Sequence, residues 1–238
     1  MVDHERAANE LPRAVPVEVK LLDLATRILP SAFFLIVLIQ KLNESHAFIV
    51  RGQAFSDAAP SWKLFAEIVS RSSTILFLTL LSILFIIRLE PIKKAKGILP
   101  RVFAVAGTFS MSLVTLFPRA NISFTQTVIA SLLSLVGSGL SLFALAHLGR
   151  SFSVMAEARR LVTSGPYRIV RHPLYLFEGM ATLGILIQFF NFYSLLIYLA
   201  HCVLQFQRMK NEEAVLEGVF PEYQAYRLTT ARVIPRIY

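Results

Sequence analysis

The chain has 238 residues, 55% of them apolar and 16% charged, with a formal net charge of +9. Soluble domains carry about 45–50% apolar and about 25% charged residues, so the composition excludes an ordinary water-soluble globule. The basic residues sit between long apolar runs, which excludes a basic nucleic-acid-binding module and assigns the charge to membrane topology.

Residues 1–23 mix acids and bases, with Pro12 and Pro16, before any apolar run begins. That is not the pattern of a cleavable signal peptide, and the segment reads as a cytoplasmic lead. A bilayer core of about 30 Å takes about 20 mostly apolar residues per helix. The first four predicted spans are 24–42, 72–89, 99–117 and 122–147. The loop 43–71, with Gly52, Pro60 and Trp62, faces outward, Trp62 at headgroup level. On the fourth span Ser131, Ser134, Ser138 and Ser141, with Gly137 and Gly139, form a small-residue face that permits close helix approach. His147 reads as an interfacial cap.

The last apolar block, 174–206, is too long for one ordinary span, and Asn191 falls near its middle. Two short helices, 174–189 and 193–209, fit it better than one tilted helix. His201 reads as a packed, hydrogen-bonded residue and Cys202, the only cysteine, as packing. No metal cluster is expected. Six spans place the basic residues of the loop after the second span, of the segment after the fourth, and of both tails on one side. The expected fold is therefore an all-α polytopic bundle in the inner or cell membrane, with both termini cytoplasmic. It divides into an N-terminal region of four spans (1–146) and a C-terminal region (147–238) containing the hairpin.

The chemistry concentrates after Gly149. Ser164-Gly165-Pro166 signals a turn. Pro173 suits the first turn of a helix, where its missing N–H costs nothing. His172 then lies at a helix mouth, beside free N–H groups that favour an anion, and Arg171 adds a donor fork for a carboxylate. The last span returns Arg208, Glu212 and Glu213 to the same membrane face. Arg208 and Glu212 are four apart and share one helix side, so Glu212 or Glu213 is placed to pair with Arg208 at rest. S-adenosylmethionine fits such a set through its carboxylate, ammonium, ribose and sulfonium groups, the last suited to aromatic faces. A phosphate-bearing cofactor could use the same bases.

The stretch Leu161-Val162-Thr163-Ser164-Gly165-Pro166-Tyr167, then Arg171-His172-Pro173-x-Tyr175, then Glu212-Glu213-x-x-Leu216 and a tail with Tyr223, Tyr226 and Pro235 resembles the isoprenylcysteine carboxyl methyltransferase family, as a bacterial-type member. It is also similar to the related phospholipid methyltransferases. The resemblance covers residues 147–238. It implies an S-adenosylmethionine-dependent methyltransferase whose cofactor contacts fall at Arg160, Leu161, Val162, Tyr167, Arg171, His172, Pro173, Leu174, Tyr175, Glu212 and Glu213. It implies that Arg208 is the catalytic residue beside the acceptor, a lipophilic small molecule or lipid-linked substrate entering from the surrounding membrane lipids. Arg159 stands where eukaryotic members often have His, and Phe177 where Gly commonly follows the Tyr; both bear on the acceptor. Two other readings compete. Membrane sterol reductases share an Arg-His element and a closing Ile-Pro and use a nicotinamide cofactor. A scaffold or transporter would bind no cofactor.

Overall fold

A computed structural model describes residues 17–50 and 61–235. Residues 1–16 of the lead segment, Gly52, Pro60 and the Trp62 side chain lie outside the described residues, while residues 17–23 of that segment are helical and open α1. The chain is mostly helical: α1 (Val17–Val50), α2 (Ser61–Ile87), α3 (Leu99–Phe109), α4 (Phe124–Leu148), α5 (Pro173–Gln188), α6 (Phe192–Glu217) and α7 (Tyr223–Thr229), with two-residue strands β1 (Lys93–Lys94) and β2 (Glu157–Ala158).

Among the described residues three helical stretches are long and apolar enough to cross a membrane: Ile28–Val50, Leu99–Leu116 and Phe124–Ser151. Thr74–Ile87 and Pro173–Gln188 are shorter apolar helices. Large apolar side chains stay exposed along these helices and α6, among them Leu29, Ile36, Ile86, Leu116, Leu132 and Val203. So much exposed apolar surface marks contact with lipid, and the protein is an integral membrane protein.

Local sequence explains the helix boundaries. Ser123 and Gln126 form a reciprocal capping box that starts α4, satisfying two orphan donors. Pro173 occupies the first turn of α5. Asn191 accepts from the Ser194 amide at 2.9 Å and caps α6, so the apolar block is a helical hairpin and not one tilted span. The predicted third span is not continuous α-helix. It tightens to 3₁₀ at Ser110–Leu116, where the Ser110 hydroxyl meets His201 Nδ1 at 2.9 Å. Such a mid-span stretch of 3₁₀ commonly marks strain or function.

Two different interfaces hold the bundle. Phe34, Leu38, Leu78, Leu81, Leu84 and Phe85 pack α1 on α2, and Leu145 and Phe152 close this core. Between α4 and α5 the contact is backbone on backbone. A Cβ at Gly137 would lie 2.5 Å from the Ala181 amide, and one at Gly184 would lie 2.5 Å from the Ala130 carbonyl. The small-residue face of α4 thus packs a helix at Gly137, as expected, whereas Gly139 faces open space. His147 bonds the Phe143 carbonyl of its own last turn at 2.9 Å. β1 pairs antiparallel with β2, tying the α2–α3 loop to the segment after α4, and Lys93 Nζ reaches the Gly218 carbonyl at the end of α6.

Candidate functional site

The two helices of the hairpin each present one stripe to the interior. On α5 the stripe is Leu174, Tyr175, Glu178, Ala181 and Thr182; on α6 it is His201, Gln205, Arg208, Glu212 and Leu216. These spacings of three and four are those that keep side chains on one helix face. Together with α1–α4 and the segment 151–167 they enclose a cavity of about 500 Å³, within the range typical of small-molecule sites. Its lining combines polar residues, Arg160, Tyr167, His172, Glu212 and Tyr226, with apolar ones, Phe33, Phe77, Leu81, Phe109 and Met111.

Ten of the twelve residues singled out from the sequence line this cavity: Arg160, Leu161, Val162, Tyr167, Arg171, His172, Leu174, Tyr175, Arg208 and Glu212. Pro173 and Glu213 do not. Pro173 is buried as the start of α5. Glu213 is the buried hub of an ion-pair network. Its Oε1 accepts from Arg171 Nε at 3.1 Å, His172 Nε2 at 3.0 Å and Arg232 Nε at 3.0 Å, and Arg232 Nη2 donates to Oε2 at 2.7 Å. Burial alone would raise its carboxyl, but the hydrogen bonds from His172 and Arg232 overcome that and hold it down at about 2. Arg171 also donates to the carbonyls of Arg227 and Thr230, and its own amide bonds the Ala231 carbonyl. The network therefore pins the C-terminal segment beside the mouth of α5.

The neighbouring carboxyl, Glu212, turns inward and accepts from the Tyr175 hydroxyl. Burial pushes its carboxyl up, against the pull of His172 and Arg208. Tyr226 donates to the Tyr167 carbonyl at 2.5 Å. Its phenol is raised to about 12 by burial, and burial raises Tyr167 further, so both remain neutral donors at physiological pH.

Arg208 is buried, with its guanidinium 5.1 Å from the Tyr175 ring centre. Nη1 donates to Gln205 Oε1 at 2.8 Å and Nη2 to the Val154 carbonyl at 3.3 Å. The expectation that Glu212 or Glu213 pairs with it is corrected: Glu213 is taken by Arg171, His172 and Arg232, and Glu212 by Tyr175. Arg208 Nε has no partner, and neither do the buried hydroxyls of Tyr167, Tyr223, Ser141 and Ser151. All belong to cavity-lining residues. Buried polar atoms without partners are uncommon and costly, and here five of them belong to residues around one cavity. The donors fit a cofactor carrying a carboxylate and hydroxyls, and the Tyr175 and Tyr226 faces suit a cation.

Sequence reasoning missed Glu178 and Gln205. The signal was present: Glu178 is three residues after Tyr175, and Gln205 three before Arg208, both inside apolar runs where ionisable or amide groups are expensive. His201, expected to be hydrogen-bonded, bonds Ser110 and also lines the cavity. Arg159, the first departure, is buried and pairs with Glu157. Phe177, the second, offers its carbonyl to the Gly137 contact. Among the described residues no three His, Cys, Asp or Glu side chains are grouped to hold a metal ion.

Fold and cavity together define a helical membrane protein with a chamber lined by both polar and apolar side chains. Residues 128–218 match the isoprenylcysteine carboxyl methyltransferase (ICMT) family, a stretch that runs from α4 through α6 and carries most of these lining residues. The chain is also similar to the nickel-cobalt-cadmium resistance protein NccN of Alcaligenes xylosoxydans xylosoxydans, at 32% identity over 83 residues, 34% of this chain and 38% of the relative. The cobalt-zinc-cadmium resistance protein CzcN of Cupriavidus metallidurans is 32% identical over 99 residues, 39% of this chain and 45% of the relative. The chain thus spans less than half the length of either relative.

Proposed function

We propose that this protein is an S-adenosylmethionine-dependent methyltransferase that acts on a lipophilic acceptor reaching the site from the bilayer. The observation that carries the reading is the single cavity that joins the family's motif residues to an apolar arm. Arg160 to Val162, Tyr167, His172, Tyr175 and Glu212 are assigned to the cofactor, which supplies an electrophilic methyl group. Arg208, one turn before Glu212 on the same face of α6, is assigned to the acceptor. The α1–α2 side receives the acceptor's apolar portion. Holding the two reactants in line supplies much of the rate, and the water that bound reactants displace from the chamber strengthens its electrostatics.

Six spans with both termini in the cytoplasm complete the proposal. They put the residues assigned to the cofactor, the basic loops and α7 on the side where the cofactor is made. Reporter fusions after Lys96, after Arg159 and at Tyr238 should all report the cytoplasm; an external signal at Tyr238 would remove the paired-hairpin topology. The decisive experiment incubates purified protein with methyl-labelled cofactor and a membrane lipid extract and identifies the labelled product. Titration with NADPH in place of S-adenosylmethionine separates the reductase reading. His172→Ala and Glu212→Ala should each weaken cofactor binding about ten- to a hundredfold, the loss of a charge-assisted hydrogen bond. Calorimetry showing both variants binding like wild type would move the cofactor elsewhere.

A further inference from the structure

Glu178 is a carboxylic acid inside an apolar helix, one turn beyond the Tyr175 that the family motif supplies. It lines the cavity. A carboxyl group at such a position is costly unless it is paired or functional, and among the described residues Glu178 forms no ion pair. Its hydrogen bond among the described residues is a long one, from Gln205 Nε2 to Oε2 at 3.5 Å. Arg208 and Glu212 act on it through space, but Arg208 spends its terminal nitrogens on Gln205 and the Val154 carbonyl. Two opposite, incompletely satisfied groups therefore face one chamber from facing helices: a carboxyl group from α5 and a guanidinium with a free Nε from α6.

The pair selects among acceptors by charge. A carboxylate needs no base and would gain Arg208 but meet Glu178, of its own sign. A protonated amine would gain Glu178 but meet Arg208. An alcohol holds its proton too tightly for a carboxylate to take. A thiol enters neutral, crosses the apolar arm without a charge penalty, and becomes the nucleophile only as the thiolate. Arg208 is placed to stabilise the thiolate as it forms, and Glu178 to take the proton.

Resting on the methyltransferase reading above, we propose that the acceptor is a lipophilic thiol and that Glu178 is its general base. The thiol proton passes to Glu178 as the sulfur lone pair forms the new S–CH₃ bond. The bond between methyl carbon and sulfonium breaks with its electron pair left on the cofactor's sulfur. The products are a methyl thioether and the neutral demethylated cofactor, and Glu178 returns the proton to water. The other titratable groups nearest this step are His201, Arg208 and Glu212 on α6, Tyr175 on α5 and Tyr167 from the segment between α4 and α5. The lining of α3, the 3₁₀ segment and α4 contributes only neutral groups, such as Thr108, Ser112, Ser138 and Ser141.

The test uses the full chain in lipid nanodiscs with labelled S-adenosylmethionine and three acceptors of one chain length: an alkanethiol, the fatty acid and the alkylamine. Wild type should methylate the thiol in preference to the other two. Glu178→Gln should slow the alkanethiol about a hundredfold at neutral pH, the lower range for loss of a general base. Its rate should then climb with pH as the free thiol ionises. An aryl thiol, already ionised at neutral pH, should be methylated by the variant at nearly the wild-type rate. Cofactor affinity by calorimetry and the melting temperature should stay near wild type. Preferred methylation of the fatty acid or the amine, with normal cofactor binding, overturns the thiol assignment and leaves the methyltransferase reading standing. Equal losses on alkyl and aryl thiols overturn the base. Absence of cofactor binding in wild type overturns both proposals.

Discussion

The α1–α2 pair and the α5–α6 hairpin border one cavity but are held by different physics. The first pair meets through rings and branched chains, such as Phe34 stacked on Phe85 at 5.6 Å, with a bond from the Ser31 hydroxyl to the Ser82 carbonyl. The hairpin is fastened by charge: Glu213, Arg171, His172 and Arg232 lock its base to the C-terminal segment. Apolar contacts are non-directional, so the first region can adjust to an apolar guest. Charge-assisted hydrogen bonds fix direction and distance, so the second holds polar side chains where chemistry needs them. The contrast predicts that polar substitutions in the hairpin damage the protein far more specifically than shape changes in α1–α2.

The sharpest break should come at Glu213→Ala. It leaves Arg171 and Arg232 without their shared carboxylate, and breaking a buried pair from one side costs on the order of 3–5 kcal/mol. Unfolding in detergent should show that loss, with the C-terminal segment becoming accessible to protease. The pH dependence has a definite sign. Glu213 is held at about 2 against an ordinary 4.5, so its stabilisation is complete above pH 4.5 and fades as pH falls towards 2. Wild type should lose stability across that window more steeply than Glu213→Ala.

Arg208→Ala comes next, with turnover reduced on the order of a hundredfold, as when one preorganised donor is lost, and cofactor affinity within a few-fold of wild type. Arg208→Lys should restore only part of the rate. An ammonium lacks the planar fork that lets the side chain bond both Gln205 and the Val154 carbonyl. Near-normal turnover in Arg208→Lys would reduce the residue to an interfacial anchor.

The same contrast explains what the sequence made legible. Long apolar runs announce helices, and Pro173 and Asn191 mark the hairpin ends with local chemistry that needs no tertiary partner. The motif residues were readable because turn and cap signals cluster around them. What escaped depends on partners far along the chain. Glu178 and Gln205 matter only because two helix faces meet, and within an apolar run each looks like an isolated polar residue. The partner of Arg208 could not be read from i, i+4 spacing, because Glu212 is claimed by Tyr175 on another helix. The 3₁₀ segment at 110–116 likewise answers to His201, some ninety positions away.

The smallest expected effect tests the joint between the two regions. Gly107 on α3 packs directly against the Arg208 stem: an added Cβ would stand 2.7 Å from its Cδ and 3.1 Å from Gln205 Oε1. Both atoms belong to flexible side chains, so Gly107→Ala should fold, helped by the better helix propensity of alanine. Relief must come from a small displacement of the guanidinium, which weakens its bonds to Gln205 and the Val154 carbonyl. Turnover should fall a few-fold while cofactor affinity holds. Gly139→Ala, where nothing lies within 4 Å, gives the matched control and should leave turnover unchanged. Equal turnover in the two variants would mean that the position of Arg208 tolerates such a shift, and the rigid polar half would then be rigid for stability and not for chemistry.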